Sequence, residues 1–382
     1  MTSTPPAPFG VGMIGYAFMG AAHSQAWRTA PRFFDLPVDP RMRVLVGRNH
    51  AAVTAAAAQL GWEGVETDWR ALLTRDDIDL VDICSPGDTH AEIAIAALEA
   101  GKHVLCEKPL ANSVEEAERM TAAAAAAASE FGTVAMVGFT YRRVPAIQLA
   151  RTLVEQGRLG TIRHIRAQYL QDWLSDPESP FTWRLDKARA GSGALGDIGA
   201  HIVDLTQFIT GQRITSVTGR LTTFVDERPI PGTTTRGRVT VDDAAAFLAT
   251  FDGGPLGVFE ATRFALGRKN AIRLEINGSK GSLAFDFEDM NVLHFHDGAE
   301  DPATAGFRRI VVTEPAHAYV GHWWPPGHEL GYEHPFTHQV VDLLTGIADG
   351  VPPAPGFADG LQVQRVLDAV ERSAAGGAWI TV

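Results

Sequence analysis

Two stretches of the chain carry residue types suited to moving a proton: Glu107, Lys108 and Pro109, and the later run Gly196, Asp197, Ile198, Gly199, Ala200, His201. A neutral imidazole titrates in the range a general base needs, so His201 is the candidate acceptor of a hydroxyl proton. Asp197 stands four residues earlier, which on a helix places both side chains on one face. There it would orient the imidazole and stabilise its charged form. Lys108 would donate to the reacting oxygen and favour an alkoxide-like transition state. Taken singly, each has a plainer explanation: a loop lysine, a helix-capping aspartate, a satisfied core histidine. Their joint presence beside a dinucleotide-type turn favours chemistry.

That turn is Gly15, Tyr16, Ala17, Phe18, Met19, Gly20, directly after an apolar run at 9–14 and before a helical pattern. Gly15 permits a tight turn and Gly20 permits close helix packing, while Ala17 replaces the glycine that usually lets backbone approach a pyrophosphate. Phe18 and Met19 open the helix whose first amides would face phosphate. An acid normally ends the second strand and binds the ribose hydroxyls, yet here the residues are Gly47, Arg48 and Asn49. Arg48 would stack on adenine or pair with a 2′-phosphate, or simply begin the next helix in solvent. NADP is therefore a candidate beside NAD. Ser85, Pro86 and His90 follow the fourth strand, where open parallel sheets bind ligands. His90 would touch nicotinamide or cap the next helix.

These residues need a scaffold. Apolar runs at 9–14, 44–46, 80–84, 104–106 and 134–139 alternate with Ala-rich helical stretches, including the crossover helix around 122–128. The expectation is an α/β chain: an N-terminal Rossmann domain over 1–139 with a doubly wound parallel sheet, then a C-terminal α+β domain over 140–382. In the second part, strand-like runs at 162–170, 214–225, 244–251, 256–262, 272–277, 282–287 and 292–295 are separated by short turns. They predict a large, mostly antiparallel, open-faced sheet, with helices at 198–209, 336–347 and 360–373 covering one face.

The length of 382 residues fits two domains. No apolar stretch is long enough to span a bilayer, and residues 1–8 do not read as a signal peptide. The net charge of −12 opposes nucleic acid. Two cysteines, Cys84 and Cys106, end apolar runs and read as buried thiols of a cytoplasmic protein.

With the glycine turn, Glu107-Lys108-Pro109 and the run from Gly191 to His201 with Asp204, nearly the whole chain resembles the Gfo/Idh/MocA family, the glucose-fructose oxidoreductase and inositol dehydrogenase group. The resemblance implies that Lys108, Asp197 and His201 form the catalytic group, that Glu107 and Lys108 lie by the cofactor, and that subunits pair through the open sheet face as a homodimer or homotetramer. The stretch from Tyr169 through Gln171, Asp172 and Trp173, then Trp183, Arg184 and Gly191 to Asp197, is similar to the levoglucosan dehydrogenase subgroup. This implies hydride transfer between nicotinamide and a ring secondary alcohol, such as carbon 3 of a pyranose or anhydrosugar. The same polar and aromatic mixture, with Arg142 or Arg143, suits a polyol pocket. Gln171 and Asp172 would equally serve as an outward polar pair. Rival expectations are an NADPH-dependent keto-sugar reductase and a non-catalytic dinucleotide-binding sugar sensor. Histidines at 317, 322, 328, 334 and 338, and the alternating His294 and His296, raise metal binding, but no cysteine or carboxylate completes a ligand set. Loop packing is the simpler expectation, with no metal.

Overall fold

The computed structural model describes residues 6–382, which divide into two compact units. The first runs to Thr140 and takes in Gly331–Leu361; the second is Tyr141–Leu330 with Gln362–Val382.

In the first unit, β1 (Pro8–Ile14), β2 (Asp39–Val46), β3 (Gly64–Glu66), β4 (Leu80–Ile83), β5 (His103–Cys106) and β6 (Ala135–Val137) form one parallel sheet in the order β3-β2-β1-β4-β5-β6. This is the doubly wound order expected, with its reversal between β1 and β4, where such sheets bind ligands at their carboxyl ends. The strands read as near-continuous apolar runs because helices cover both faces. The crossings are α1 (Phe18–Phe33), α2 (His50–Leu60), α3 (His90–Glu99) and α4 (Val114–Phe131). Helix α4 holds the alanine run; Ser113 caps it by accepting from the Glu116 N–H, and Gly132 ends it at a φ of 71°.

The second unit starts with α5 (Pro145–Glu155) and β7 (Ile162–Leu170), followed by the single turn α6 (Lys187–Ala190) and α7 (Ala200–Thr210). Then come β8 (Ile214–Thr222), the hairpin β9 (Glu227–Pro229) and β10 (Arg236–Arg238), β11 (Ala244–Phe251), β12 (Leu256–Thr262), β13 (Ala271–Gly278), β14 (Gly281–Asp286), β15 (Val292–Asp297) and β16 (Arg308–Val311). With the C-terminal β17 (Ile380–Thr381) they build a nine-stranded sheet ordered β16-β15-β14-β13-β7-β12-β11-β8-β17. Only β7 and β12 run parallel. Buried residues alternate with exposed or half-buried ones along β11 and most of β12, and with half-buried ones along β14. Helices α5 and α7 pack on this sheet, while Leu248, Leu256 and Val258 are exposed. The open-faced sheet is as expected.

The placement of α8 (His334–Asp349) differs from expectation. Rather than covering the second sheet, it packs along α1, with Phe336, Val340, Leu343 and Leu344 in the core that holds Ala26, Trp27 and Ala30. Helical periodicity identifies an apolar face but not which distant face it covers. The second unit is accordingly not the continuous block 140–382: residues 331–361 return to the first unit, and α9 (Phe357–Gly376) begins there.

Candidate active site

The first unit carries the dinucleotide-type cradle. Gly15 leaves β1 at a φ of +98°, and a Cβ there would lie 2.7 Å from the Cys84 carbonyl oxygen. A Cβ on Gly20 would lie 2.2 Å from the Gly15 carbonyl oxygen, so α1 rests directly on the turn. Both positions require glycine. Ala17 stands at the N-cap of α1 with no side-chain cap bond, leaving the first amides of that helix to an anionic partner. Phe18 is exposed and stacks on Tyr332 at 5.8 Å, whereas Met19 packs against the core. Arg48 is exposed at the end of β2, and the neighbouring Asn49 caps α2 by accepting from the Ala52 N–H at 3.0 Å. The backbone cradle fits a dinucleotide pyrophosphate, and the end of β2 offers no carboxylate to a ribose.

The loops after β4 and β5 are tied together. Ser85 and Thr89 hydroxyls lie 2.7 Å apart, and Pro86 opens the turn before α3. His90 is buried, with Nδ1 3.0 Å from the Pro109 carbonyl and Nε2 2.9 Å from the Ser85 carbonyl. Its ring joins the two loops, and its two nitrogens are taken up by that task rather than turned to a ligand or to a helix cap. Glu107 is buried as well. Its Oε1 faces His23 Nε2 at 3.0 Å, and its Oε2 accepts from the Lys108 N–H at 3.2 Å. Glu107 thus acts on the shape of the loop carrying Lys108.

His23 on α1 completes this buried group. Its Nδ1 lies 2.9 Å from Asp82 Oδ1, and Trp27 Nε1 donates to Asp82 Oδ2 at 2.8 Å. Burial alone would lower the imidazole pKa, but the charge of Asp82, aided by Cys84, raises it well above the ordinary value. Both nitrogens face carboxylates, as an imidazolium requires. Burial pushes the Cys84 and Cys106 thiols up. His23, Asp82 and Cys84 are the one cluster with metal-ligand spacing among the described residues, and they bond to one another, Cys84 Sγ donating to Asp82 Oδ1 at 3.6 Å. The histidines at 317, 328 and 334 close local turns instead: His317 Nδ1 accepts from the Glu314 N–H, His328 Nδ1 lies 2.9 Å from the Pro325 carbonyl, and His334 Nδ1 accepts from the Gly331 N–H.

The second unit carries the Asp197/His201 pair. A π-turn spans Leu195–Gly199 and runs into α7, so Asp197 lies on the wider turn and His201 at the start of the regular helix. Such turns recur at functional sites. Asp242 holds this start: its carboxylate accepts from the Gly193 N–H at 2.7 Å and the Leu195 N–H at 2.8 Å, and its carbonyl accepts from the Ala194 N–H at 3.0 Å. A Cβ on Gly193 would lie 1.7 Å from that carbonyl oxygen, so only glycine fits.

His201 is buried between tyrosine rings, with centroids 4.6 Å from Tyr141 and 5.8 Å from Tyr169. The Tyr141 and Tyr169 hydroxyls lie 3.0 Å apart, and Asn270 Oδ1 accepts from Tyr169 at 2.7 Å and from Gln171 Nε2 at 2.8 Å. Trp173 Nε1 donates to Gln171 Oε1 at 3.0 Å. Tyr169, Gln171 and Trp173 therefore share, through Asn270, one hydrogen-bonded chain that starts beside the imidazole. Asp172 points to Lys269, whose Nζ donates at 2.6 Å and holds the carboxyl below the usual range. Trp183 and Arg184 stack on each other at 4.6 Å in a separate 3-10 turn. Arg142 departs most from expectation: its guanidinium is buried and paired with Asp204, Nε lying 2.9 Å from Oδ2 and Nη2 2.5 Å from Oδ1. It anchors α7 rather than presenting an open fork to a substrate. Asn270, Lys269, Asp242, His23 and Asp82 belong to these networks and had no motif; each meets its partner only after the chain folds.

Residues 9–139 match the oxidoreductase family with an NAD-binding Rossmann fold, and residues 147–284 match the GFO/IDH/MocA C-terminal domain. The chain is 41% identical to a levoglucosan dehydrogenase of Pseudarthrobacter phenanthrenivorans, over 97% of each protein. Among solved structures, an oxidoreductase domain protein from Kribbella flavida is 73% identical with a TM-score of 0.96, covering 98% of this chain and 99% of that one. A levoglucosan dehydrogenase in complex with NADH and levoglucosan is 41% identical with a TM-score of 0.93, at the same coverage.

Proposed function

The chain belongs to the Gfo/Idh/MocA oxidoreductase family and is an NAD-dependent dehydrogenase, and from that premise we propose that it oxidises a ring secondary alcohol of a sugar or anhydrosugar, carbon 3 of a pyranose being the first position to test. The observation that carries the reading is the second unit's packing of His201 against Tyr141 and Tyr169, with Asn270, Gln171 and Trp173 following in one hydrogen-bonded chain from Tyr169. Such a surface suits a polyol: ring faces meet aromatic carbon, and hydroxyls meet amide and phenol groups. The relative crystallised with levoglucosan supports the substrate class.

Gly15, Ala17, Phe18, Met19 and Gly20 would hold the pyrophosphate through backbone amides, with Ser85, Pro86 and the Lys108 loop beyond it. Nicotinamide, when bound, supplies the acceptor for the hydride leaving the ring carbon. His201 takes the hydroxyl proton, Asp197 orients the imidazole and steadies its charge, and Lys108 donates to the oxygen as negative charge builds there. The cofactor is NAD; NADP is proposed as a tolerated alternative because Gly47, Arg48 and Asn49 provide no carboxylate to repel its phosphate.

The test is the near-ultraviolet absorbance of reduced nicotinamide with NAD and with NADP across levoglucosan, glucose, methyl glucosides and inositols. Oxidation of a pyranose, lost in His201→Asn and in Lys108→Met, is the expected result. Silence across the panel, or near wild-type turnover in both variants, removes the proposal.

A further inference from the structure

Arg263 follows β12 and is fully buried. Its Nη2 donates to the Asp242 carbonyl at 3.1 Å, its guanidinium lies 5.5 Å from the Trp173 ring centre, and Nη1 lies 3.6 Å from Asp197 Oδ2. Nε and Nη1 make no hydrogen bond. A buried guanidinium with two idle donors is destabilising unless its charge is used. The groups around it are known: Asp197 from the π-turn, Asp242 and Asp243 from the segment before β11, Arg228 from β9, and the Trp173 indole. Asp243 is turned to the backbone, where its Oδ2 accepts from the Phe224 and Val225 N–H groups. Asp242 is spent on the amides of residues 193 and 195. Asp197 is the one carboxylate within ion-pair reach of Arg263 among the described residues.

We propose that Arg263 is a positioning residue that fixes Asp197 through charge and thereby sets the proton affinity of His201. This rests on the assignment of His201 as base. Arg263 and Asp242 then act as one clamp: Asp242 grips the amides that start the π-turn, and Arg263, hung from the Asp242 carbonyl, faces the carboxylate that the turn presents. Without the guanidinium, Asp197 acts on the imidazole unopposed and the imidazolium is favoured. The base then needs a higher pH to be neutral.

The experiment is an NMR titration of histidine-labelled full-length protein, with the His201 resonance assigned by its loss in His201→Asn. Tyr141 and Tyr169, whose rings pack against that imidazole, stay in place. In Arg263→Gln the His201 midpoint is expected to rise by about half a pH unit or more. In Arg263→Lys, which keeps the charge, it stays within about 0.2 unit and kcat stays within about threefold of wild type, the rescue a charge-based role predicts. An unmoved midpoint in Arg263→Gln overturns the proposal. Should that variant not fold, a His201 midpoint in Arg263→Lys displaced by about half a pH unit or more does the same. Failure of the functional reading shows separately, as turnover surviving in His201→Asn, because the titration needs no substrate.

Discussion

Arg142 and Asp204 form a buried, two-pronged ion pair, and Asp204 stands on α7 one turn beyond His201. The pair fixes the helix that presents the imidazole. Removing one partner strands the other charge, so Asp204→Asn is expected to destabilise the fold by about 3–5 kcal/mol. Urea denaturation measures it; a change below about 1 kcal/mol would falsify the anchoring role.

His23 gives a pH dependence of stability. Its folded-state pKa is raised above the ordinary value, so its contribution is fully present below about pH 6.5 and is lost as pH rises through the raised value. His23→Asn is expected to be less stable than wild type at neutral pH and to show a flatter alkaline decline in melting temperature. Parallel declines in the two proteins would show that the imidazolium contributes nothing.

Gly20→Ala puts a methyl group 2.2 Å from the Gly15 carbonyl oxygen. Helix α1 must withdraw from its turn, carrying its first amides with it. NADH affinity, read by fluorescence titration, is expected to fall at least about tenfold. An unchanged Kd would mean that the cradle tolerates the shift.

Asn270→Ala removes the acceptor shared by Tyr169 and Gln171. The expected signature is a KM for the sugar raised about tenfold with NADH binding intact. A matching loss of NADH affinity would point to general disruption instead.

Arg48→Ala tests cofactor choice. The side chain is exposed, so NAD turnover is expected to stay within about twofold of wild type, while kcat/KM for NADP falls about tenfold through loss of one charge-assisted contact. Equal losses with both cofactors would place Arg48 on the shared adenosine half.

Five strands of the parallel sheet were legible because each is a local apolar run, whereas the three-residue, half-buried edge strand β3 carries no such run; the glycine turn was legible because Gly15 and Gly20 mark backbone that no other residue accepts. The Asp197/His201 spacing was legible for the same reason. The widening of the turn beneath Asp197 was not, since Asp242 holds it from across the fold. Arg142 and Glu107 look like binding groups in one dimension, but their charges are met by Asp204 and His23 at long range. Residue type names a candidate; burial and partners decide between a group that meets ligand and one that holds another residue still.

The return of α8 to α1 has a consequence for biosynthesis. About 300 residues separate the end of α1 from the start of α8. At roughly 5–20 residues per second, the ribosome takes about 15–60 s to supply the helix that packs along α1, where Phe336 meets His23. During that interval the growing polypeptide carries an uncovered apolar stripe, which makes this face a natural client surface for chaperones. An mRNA truncated before codon 331 would release a chain that never acquires its cover.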